Sequence, residues 1–257
     1  MGKWRCCRLA VLLIALTSRE AAASPWNRAA GDIFVASRFD YYQSSTPASR
    51  FQRFGSDSYA EFGLTRRWML AGKAAYGTSI SDSGLGQSSR TGVGDAELGA
   101  QFQMQRGVHS ATAISIAAAW SERLADGARA GFGAHDADAE IRVLHGRDVV
   151  IAPFKIFATT EVAYRRRFDA AADQFRADAL IGFEPAPRWL VLAEARSQLS
   201  LGNHDPGGDD FDVVKSRASI VWRATSRWAL VAGGEKEFAA RGVAPGASVF
   251  VGFWSLF

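Results

Sequence analysis

From residue 32 onward, apolar and polar side chains alternate along segments of roughly ten residues, each closed by a turn signal. A period of two sends alternate side chains to opposite faces of a strand. Segment 32–42 sets Ile33, Val35, Phe39 and Tyr41 against Arg38 and Asp40, and 59–65 sets Ala60, Phe62 and Leu64 against Tyr59 and Glu61. Segment 68–78 opposes Trp68, Leu70, Ala74 and Tyr76 to Lys73, and 92–104 opposes Ala96, Leu98, Ala100 and Phe102 to Asp95, Glu97, Gln101 and Gln103. After 111–121, which carries Ile114, Ile116, Ala118 and Trp120, segment 134–144 opposes Ile141 and Val143 to Glu140 and Arg142.

The second half repeats the habit. Glu161 stands against Val162 and Tyr164 in 154–165, and Arg176 and Asp178 against Phe175, Ala179 and Ile181 in 174–184. Glu194 and Arg196 oppose Val191, Ala193 and Ala195 in 189–198. Lys215 and Arg217 oppose Val214, Ala218 and Ile220 in 211–223, and Glu235 and Glu237 oppose Leu230 and Ala232 in 228–238. The last segment, 246–257, is apolar on both sides, with Val249, Val251, Phe253 and Phe257 on one and Phe250, Trp254 and Leu256 on the other. Twelve strands are predicted.

Their connections alternate in length. Short ones fall at 66–67, 106–110, 146–152, 185–188 and 225–227; longer polar or glycine-rich ones fall at 44–55, 79–91, 122–133, 167–173, 201–210 and 239–245. An even number of up-and-down strands with short turns at one end and long loops at the other is the pattern of a transmembrane β-barrel. Hydrocarbon offers no partner to a strand edge, so such a sheet must close, with its apolar face outward. The charged face then lines a lumen. The predicted lumen set is Glu61, Lys73, Asp95, Glu97, Glu140, Arg142, Glu161, Arg176, Asp178, Glu194, Arg196, Lys215, Arg217, Glu235 and Glu237. A cation on the lipid face at mid-depth would cost about 2 to 4 kcal/mol, and the outward sets contain almost none.

Arg67-Trp68, Arg188-Trp189 and Arg227-Trp228 each open a strand directly after a short turn, and Trp222 ends the strand leading into one of them. Indoles at that level form a girdle at the membrane-water boundary. Trp68, Trp189, Trp222 and Trp228 are therefore predicted to ring the barrel. The other reading is a soluble β-barrel or sandwich with these tryptophans in its core.

The amino terminus changes the picture of charge and compartment. Lys3, Arg5 and Arg8 precede an apolar run from Leu9 to Leu16, too short to span a bilayer, and Ala21-Ala22-Ala23 follows. This predicts a secretory signal peptide over 1–23, a short periplasmic tail over 24–31 that contains Trp26, and a barrel over 32–257. The leader holds Lys3, Arg5, Arg8 and Arg19 against Glu20, so +3 of the chain's net +4 leaves with it. The near-neutral remainder argues against a nucleic-acid partner. Both cysteines, Cys6 and Cys7, lie in that leader, which removes thiol chemistry, thiolate metal sites and a disulfide scaffold from the mature chain.

The alternating strand 246–257, ending on an aromatic residue, resembles the closing strand of bacterial outer-membrane β-barrels. In that group the terminal aromatic is an assembly signal, which the resemblance places on Phe257 and Phe253. It implies location in the bacterial outer membrane, with the outer-membrane lipids and the barrel assembly machinery as partners. Thr91-Gly92-Val93-Gly94-Asp95-Ala96-Glu97-Leu98-Gly99-Ala100-Gln101-Phe102 resembles the Gly-x-Gly-Asp-x-x-Leu-Gly-x-x-aromatic strand of outer-membrane proteins of the meta-pathway phenol degradation type, presumed to take up aromatic or hydrophobic compounds. As a phosphate loop it lacks both the strand-loop-helix setting and a following Gly-Lys-Ser/Thr.

The expected function is a passive outer-membrane channel or uptake pore for small solutes, with aromatic or hydrophobic ones as the class the resemblance implies, and with weak ion selectivity and no cofactor, metal or catalytic residue. One alternative is a non-conducting structural or adhesive barrel whose lumen is filled by paired charges. The other is an outer-leaflet lipid-modifying enzyme, which would need a serine nucleophile beside a histidine base. His135 and His204 lie near the predicted outer loops, whereas His109 and His145 lie near the periplasmic turns. Asn203-His204-Asp205 with Asp209, Asp210 and Asp212 reads as a solvated loop, since its acid spacing departs from an EF-hand.

Overall fold

The structure, a computed structural model, describes residues 24–83, 86–122, 124–125, 128–129, 135–151, 154–168 and 170–257, with the side chains of 121–136 outside that description. The predicted leader over 1–23 also lies outside the described residues.

Long alternating strands follow one another as β1 (Ile33–Ser45), β2 (Ser49–Gly63), β3 (Trp68–Ser83), β4 (Gly86–Arg106) and β5 (Ser110–Glu122). The two-residue strands β6 (Leu124–Ala125) and β7 (Ala128–Arg129) pair with each other. Then come β8 (His135–Ile151), β9 (Phe154–Arg167), β10 (Gln174–Ala186), β11 (Trp189–Ser200), β12 (Asp212–Arg223), β13 (Trp228–Arg241) and β14 (Gly246–Leu256). Every long strand pairs antiparallel with the next, and β1 pairs with β14, so the twelve close into one barrel. At the seam Ile33 donates its N-H to the Phe257 carbonyl at 3.2 Å and Phe257 returns one to Ile33 at 2.9 Å. No sheet edge is left for the hydrocarbon to desolvate along that seam.

The faces divide as the alternation predicts. Ile116, Ile220, Leu230, Val249 and Val251 are exposed on the outside, whereas their sequence neighbours Val221, Val231 and Phe250 are buried inside. Trp68, Trp189, Trp222 and Trp228 are all exposed at strand ends beside short turns. Trp189 and Trp222 are cross-strand partners, Trp68 packs on Phe102, and Trp228 packs on both Phe253 and Phe257. The aromatic terminus is thus part of the same ring.

Two of the Arg-Trp openings share a turn. The Thr65 hydroxyl accepts from the N-H groups of Arg67 and Trp68, and the Thr225 hydroxyl accepts from those of Arg227 and Trp228. In each a side-chain oxygen supplies the acceptor that the turn's backbone lacks.

Strand ends at the long-loop side differ from expectation. The stretches 44–55 and 79–91, expected as loops, are mostly strand: β1 turns into β2 through 46–48, and β3 and β4 run on to Ser83 and Gly86. Most of their side chains there are Ser, Thr, Gln, Arg and Asp, with Phe51, Phe54 and Ile80 the large apolar ones among the described residues. Above the membrane both faces meet water, so the sequence loses its alternation while the ladder continues. Where β4 rises past β5 a bulge interrupts its pairing with β3, between the Ala74–Ala96 and Tyr76–Val93 pairs. Among the described residues no helix is long and apolar enough to cross a membrane, which says nothing about strands.

Candidate functional site

The lumen is the site, and it is built in levels. At the short-turn end the stretch read as a short periplasmic tail, 24–31, is seated inside the barrel. Ser24, Trp26, Asn27 and Arg28 are all buried. Gln103 on β4 accepts from the Asn27 N-H at 2.9 Å and donates to the Pro25 carbonyl at 2.7 Å. Gln101 donates to the Ser24 carbonyl at 2.7 Å and to the Asn27 side chain at 3.0 Å, and Arg106 donates to the Asn27 carbonyl at 3.2 Å. Arg28 pairs with Glu61, which also accepts from Tyr59 at 2.8 Å, and its guanidinium lies 4.3 Å from the Phe34 ring centre. The indole of Trp26 occupies space that a side chain at Gly146 would need, since a Cβ there would come within 2.5 Å of it. Gly31, at φ +90°, then turns the chain into β1. Sequence reasoning missed this insertion because a tail of ordinary composition carries no periodic signal. Gln101 and Gln103, long amides on an inward face, were its only trace.

Beside the inserted segment a cavity of about 500 Å³ opens among Trp26, Phe34, Arg106, Lys155, Phe157, Leu180, Arg223, Trp254 and neighbours. Lys155 and Arg223 share Glu184 at 3.5 and 3.2 Å. On its inner side lies an apolar cluster confined to β9–β14: Phe157, Leu180, Leu190, Leu192, Val221, Ala229, Val231 and Phe250, with Trp254 packed against it. The inward placement of Phe250, Trp254 and Leu256 was expected, the rest was not. The signal was present in Trp189-Leu190-Val191-Leu192 and Trp228-Ala229-Leu230-Val231, where an apolar run replaces alternation because both faces avoid water.

Further in, the predicted lumen residues meet as ion-pair belts. Arg142 pairs with Glu140, with Glu161 at 3.0 Å and with Glu97 at 3.7 Å. Arg165 reaches Glu140 at 2.8 Å and Glu97 at 3.2 Å, and Arg176 reaches Glu140 at 2.8 Å. Across the barrel Glu235 gathers Arg196, Arg217 at 2.7 Å and Lys215 at 3.1 Å, and Glu194 lies 3.2 Å from Arg217. On β1 and β2, Arg38 pairs with Asp57 at 2.7 Å and Arg53 with Asp40 at 3.5 Å. The hairpin register expected for β12 and β13 is present, with Arg217 opposite Glu235 and Lys215 opposite Glu237. Glu237 also accepts from Tyr42 at 2.9 Å and from the Gly246 N-H at 2.8 Å. A second cavity, of about 180 Å³, lies among these belts and shares Thr159, Leu180 and Trp254 with the first. Lys73 and Asp178 face it. Asp95 sits on β4 at the bulge, close enough to Arg165 to act on it electrostatically.

The outer loops are tied together by carboxylates. Asp173, almost wholly buried, accepts from Tyr164, Arg166, Asn203 and the Arg167 N-H, and this convergence of donors holds its carboxyl well below the ordinary range against the opposing effect of burial. Asp210 takes a two-point contact from Arg241 at 2.9 Å and is lowered to about 2, mainly by that hydrogen bonding. Arg241 also holds Asp212 at 2.6 Å. Asp210 and Asp212 of this acidic loop are thus matched by a guanidinium, and among the described residues no group of three potential metal ligands forms. His204 leans on the Asp205 carbonyl and lies 3.7 Å from Asp210, His145 contacts Thr112, and His109 lies 3.6 Å from Asp148. Among the described residues, none of these three histidines is hydrogen-bonded to a serine. The side chain of His135 lies outside the description.

No family model matches this chain, and no curated protein matches it. Among solved structures it is similar to an outer membrane channel from Pseudomonas putida F1, with a TM-score of 0.68 and 10% identity over 93% of this chain and 100% of that one. It is also similar to the NanC porin, at 0.55 and 8% over 85% and 98% of the two chains, and to the β domain of the Bordetella autotransporter BrkA, at 0.54 and 14% over 89% and 100%. The likeness spans nearly the whole of each chain and is one of architecture. This protein has the fold of a twelve-stranded bacterial outer-membrane β-barrel.

Proposed function

We propose that this chain is a passive channel of the bacterial outer membrane that admits small solutes. The observation that carries this reading is the pair of neighbouring cavities, about 500 and 180 Å³, that share Thr159, Leu180 and Trp254 inside a closed barrel with charged inner and apolar outer faces. An outer wall of this kind is stable only in lipid, and an inner wall of this kind only around water or ions. The belts carry both signs in alternation, so no ring of one sign filters ions strongly. The apolar cluster over β9–β14 is consistent with solutes that have a hydrocarbon or aromatic portion. Catalysis is no part of this reading; His204, His145 and His109 engage a carbonyl, a threonine hydroxyl and a carboxylate in turn.

A second reading, a non-conducting barrel, is favoured by the segment 24–30 seated in the mouth and by the density of ion pairs above it. Planar-bilayer recording on the purified chain, with a heat-modifiable gel shift as proof of folding, separates the two. Discrete conductance steps with little anion or cation preference are expected. A gel-shifted barrel that stays silent in the bilayer would replace the first reading by the second. Recovery of the native chain outside the outer-membrane fraction of the cell envelope would remove both.

A further inference from the structure

Of the charged side chains that line the mid-lumen cavity, all but two lie within ion-pair distance of a counter-charge among the described residues; the exceptions are Lys73 on β3 and Asp178 on β10. Each has an opposite charge as its cross-strand neighbour, and in each case that neighbour is ion-paired elsewhere; Lys73 and Asp178 act on Asp57 and Arg196 through space without a direct ion pair. Lys73 stands opposite Glu97, which is held by Arg165 at 3.2 Å and Arg142 at 3.7 Å. Asp178 stands opposite Arg196, which is held by Glu235 and by Glu194 at 3.3 Å. Around the closed barrel β4, β5, β8 and β9 separate their strands on one side and six strands do so on the other, so the two face each other across the lumen. Leu180, Leu192, Phe250 and Trp254 line the same cavity between them.

We propose that this cavity is a binding station for small zwitterions of the amino-acid type, whose carboxylate meets Lys73, whose ammonium meets Asp178 and whose carbon chain lies on Leu180, Leu192, Phe250 and Trp254. The proposal rests on the part of the channel reading that lets solute enter the lumen as far as this cavity. A simple anion would satisfy Lys73 while leaving Asp178 to repel it from the same small cavity, and a simple cation meets the converse. A molecule carrying both charges satisfies both groups and desolvates neither without replacement. The apolar wall then adds selectivity for members of the class with a hydrocarbon side chain or spacer.

The test is titration calorimetry on the folded, detergent-solubilised chain with two zwitterions, leucine and 6-aminohexanoate. Their mono-ionic relatives, 4-methylpentanoate and 3-methylbutylamine, serve as controls. Saturable binding of at least one zwitterion is expected, with little or none for the controls. Lys73→Gln and Asp178→Asn, each checked for folding by the gel shift, should each weaken it by about tenfold or more, the loss of one charge-assisted contact. Absence of saturable binding, equal binding of a control, or binding indifferent to both substitutions overturns the proposal. Liposome swelling keeps the two readings apart. Swelling in a neutral sugar without zwitterion binding overturns the station and leaves the channel; zwitterion binding without any swelling overturns the channel and leaves the station.

Discussion

At the scale of single residues, the contact with the sharpest consequence is Arg28 with Glu61, because Glu61 is only 1% exposed. Arg28→Ala leaves that carboxylate without its cation, and breaking one side of a buried pair costs about 3 to 5 kcal/mol. The lower end is expected here, since Tyr59 still donates to Glu61. The double variant Arg28→Ala/Glu61→Gln should recover much of the loss. Urea unfolding in detergent, read by gel shift, measures both. An equal loss in single and double variants would mean that the stabilisation comes from seating the segment and not from the charge. Neither partner's role was legible beforehand: Glu61 showed as an inward acid, but its cation lies thirty-three residues away in a stretch without periodicity. Inward direction is written in the parity of a strand, whereas the choice of partner depends on side-chain torsions around the lumen. This is why Lys73, Glu97, Asp178 and Arg196 could be placed on the lumen wall from sequence while the pairing among them could not.

At the scale of elements, the outer loops have a pH dependence of definite sign. Asp210, at about 2, and Asp173, also lowered, lie below the value near 4 of an unfolded aspartate. Groups depressed on folding contribute stability that is complete above the unfolded value and is lost as pH falls through the folded one. The ties among 170–173, 201–210 and Arg241 should therefore hold from neutrality down to about pH 4 and slacken toward pH 2. Hydrogen-exchange protection of the Leu201, Ala172 and Asp205 amides, bonded to Asp173, Asp209 and Ala170, reads this directly. Protection should fall across that interval while the β11 and β12 amides stay protected, and Arg241→Ala should lower it already at neutral pH. Protection that rises on acidification would contradict the assignment. Strand existence and order were readable, since alternation recurs twelve times. Strand length was not, because β2, β3 and β4 continue into water, where hydrogen bonding persists without an apolar face to mark it.

At the scale of the whole molecule, the outer wall is the part the membrane tests. Val251, midway along β14 and 60% exposed, faces outward, whereas Ser248 on the same strand faces the lumen. Val251→Arg should cost about 2 to 4 kcal/mol of stability in lipid vesicles and slow insertion, and Ser248→Arg should cost far less. Equal effects would mean that the outside of this barrel is not immersed in hydrocarbon. The inner wall has its own asymmetry. The segment 24–30 leans on β2, β4 and β8, and the apolar cluster occupies β9–β14, so any passage runs between a polar shoulder and a carbon cheek. A body moving between two unlike surfaces cannot tumble freely; it settles with its greasy side to one and its hydrated side to the other. Traffic through such a bore is sorted by attitude as much as by size, and a molecule with two distinct sides enters already aligned while a uniform one must be turned for nothing.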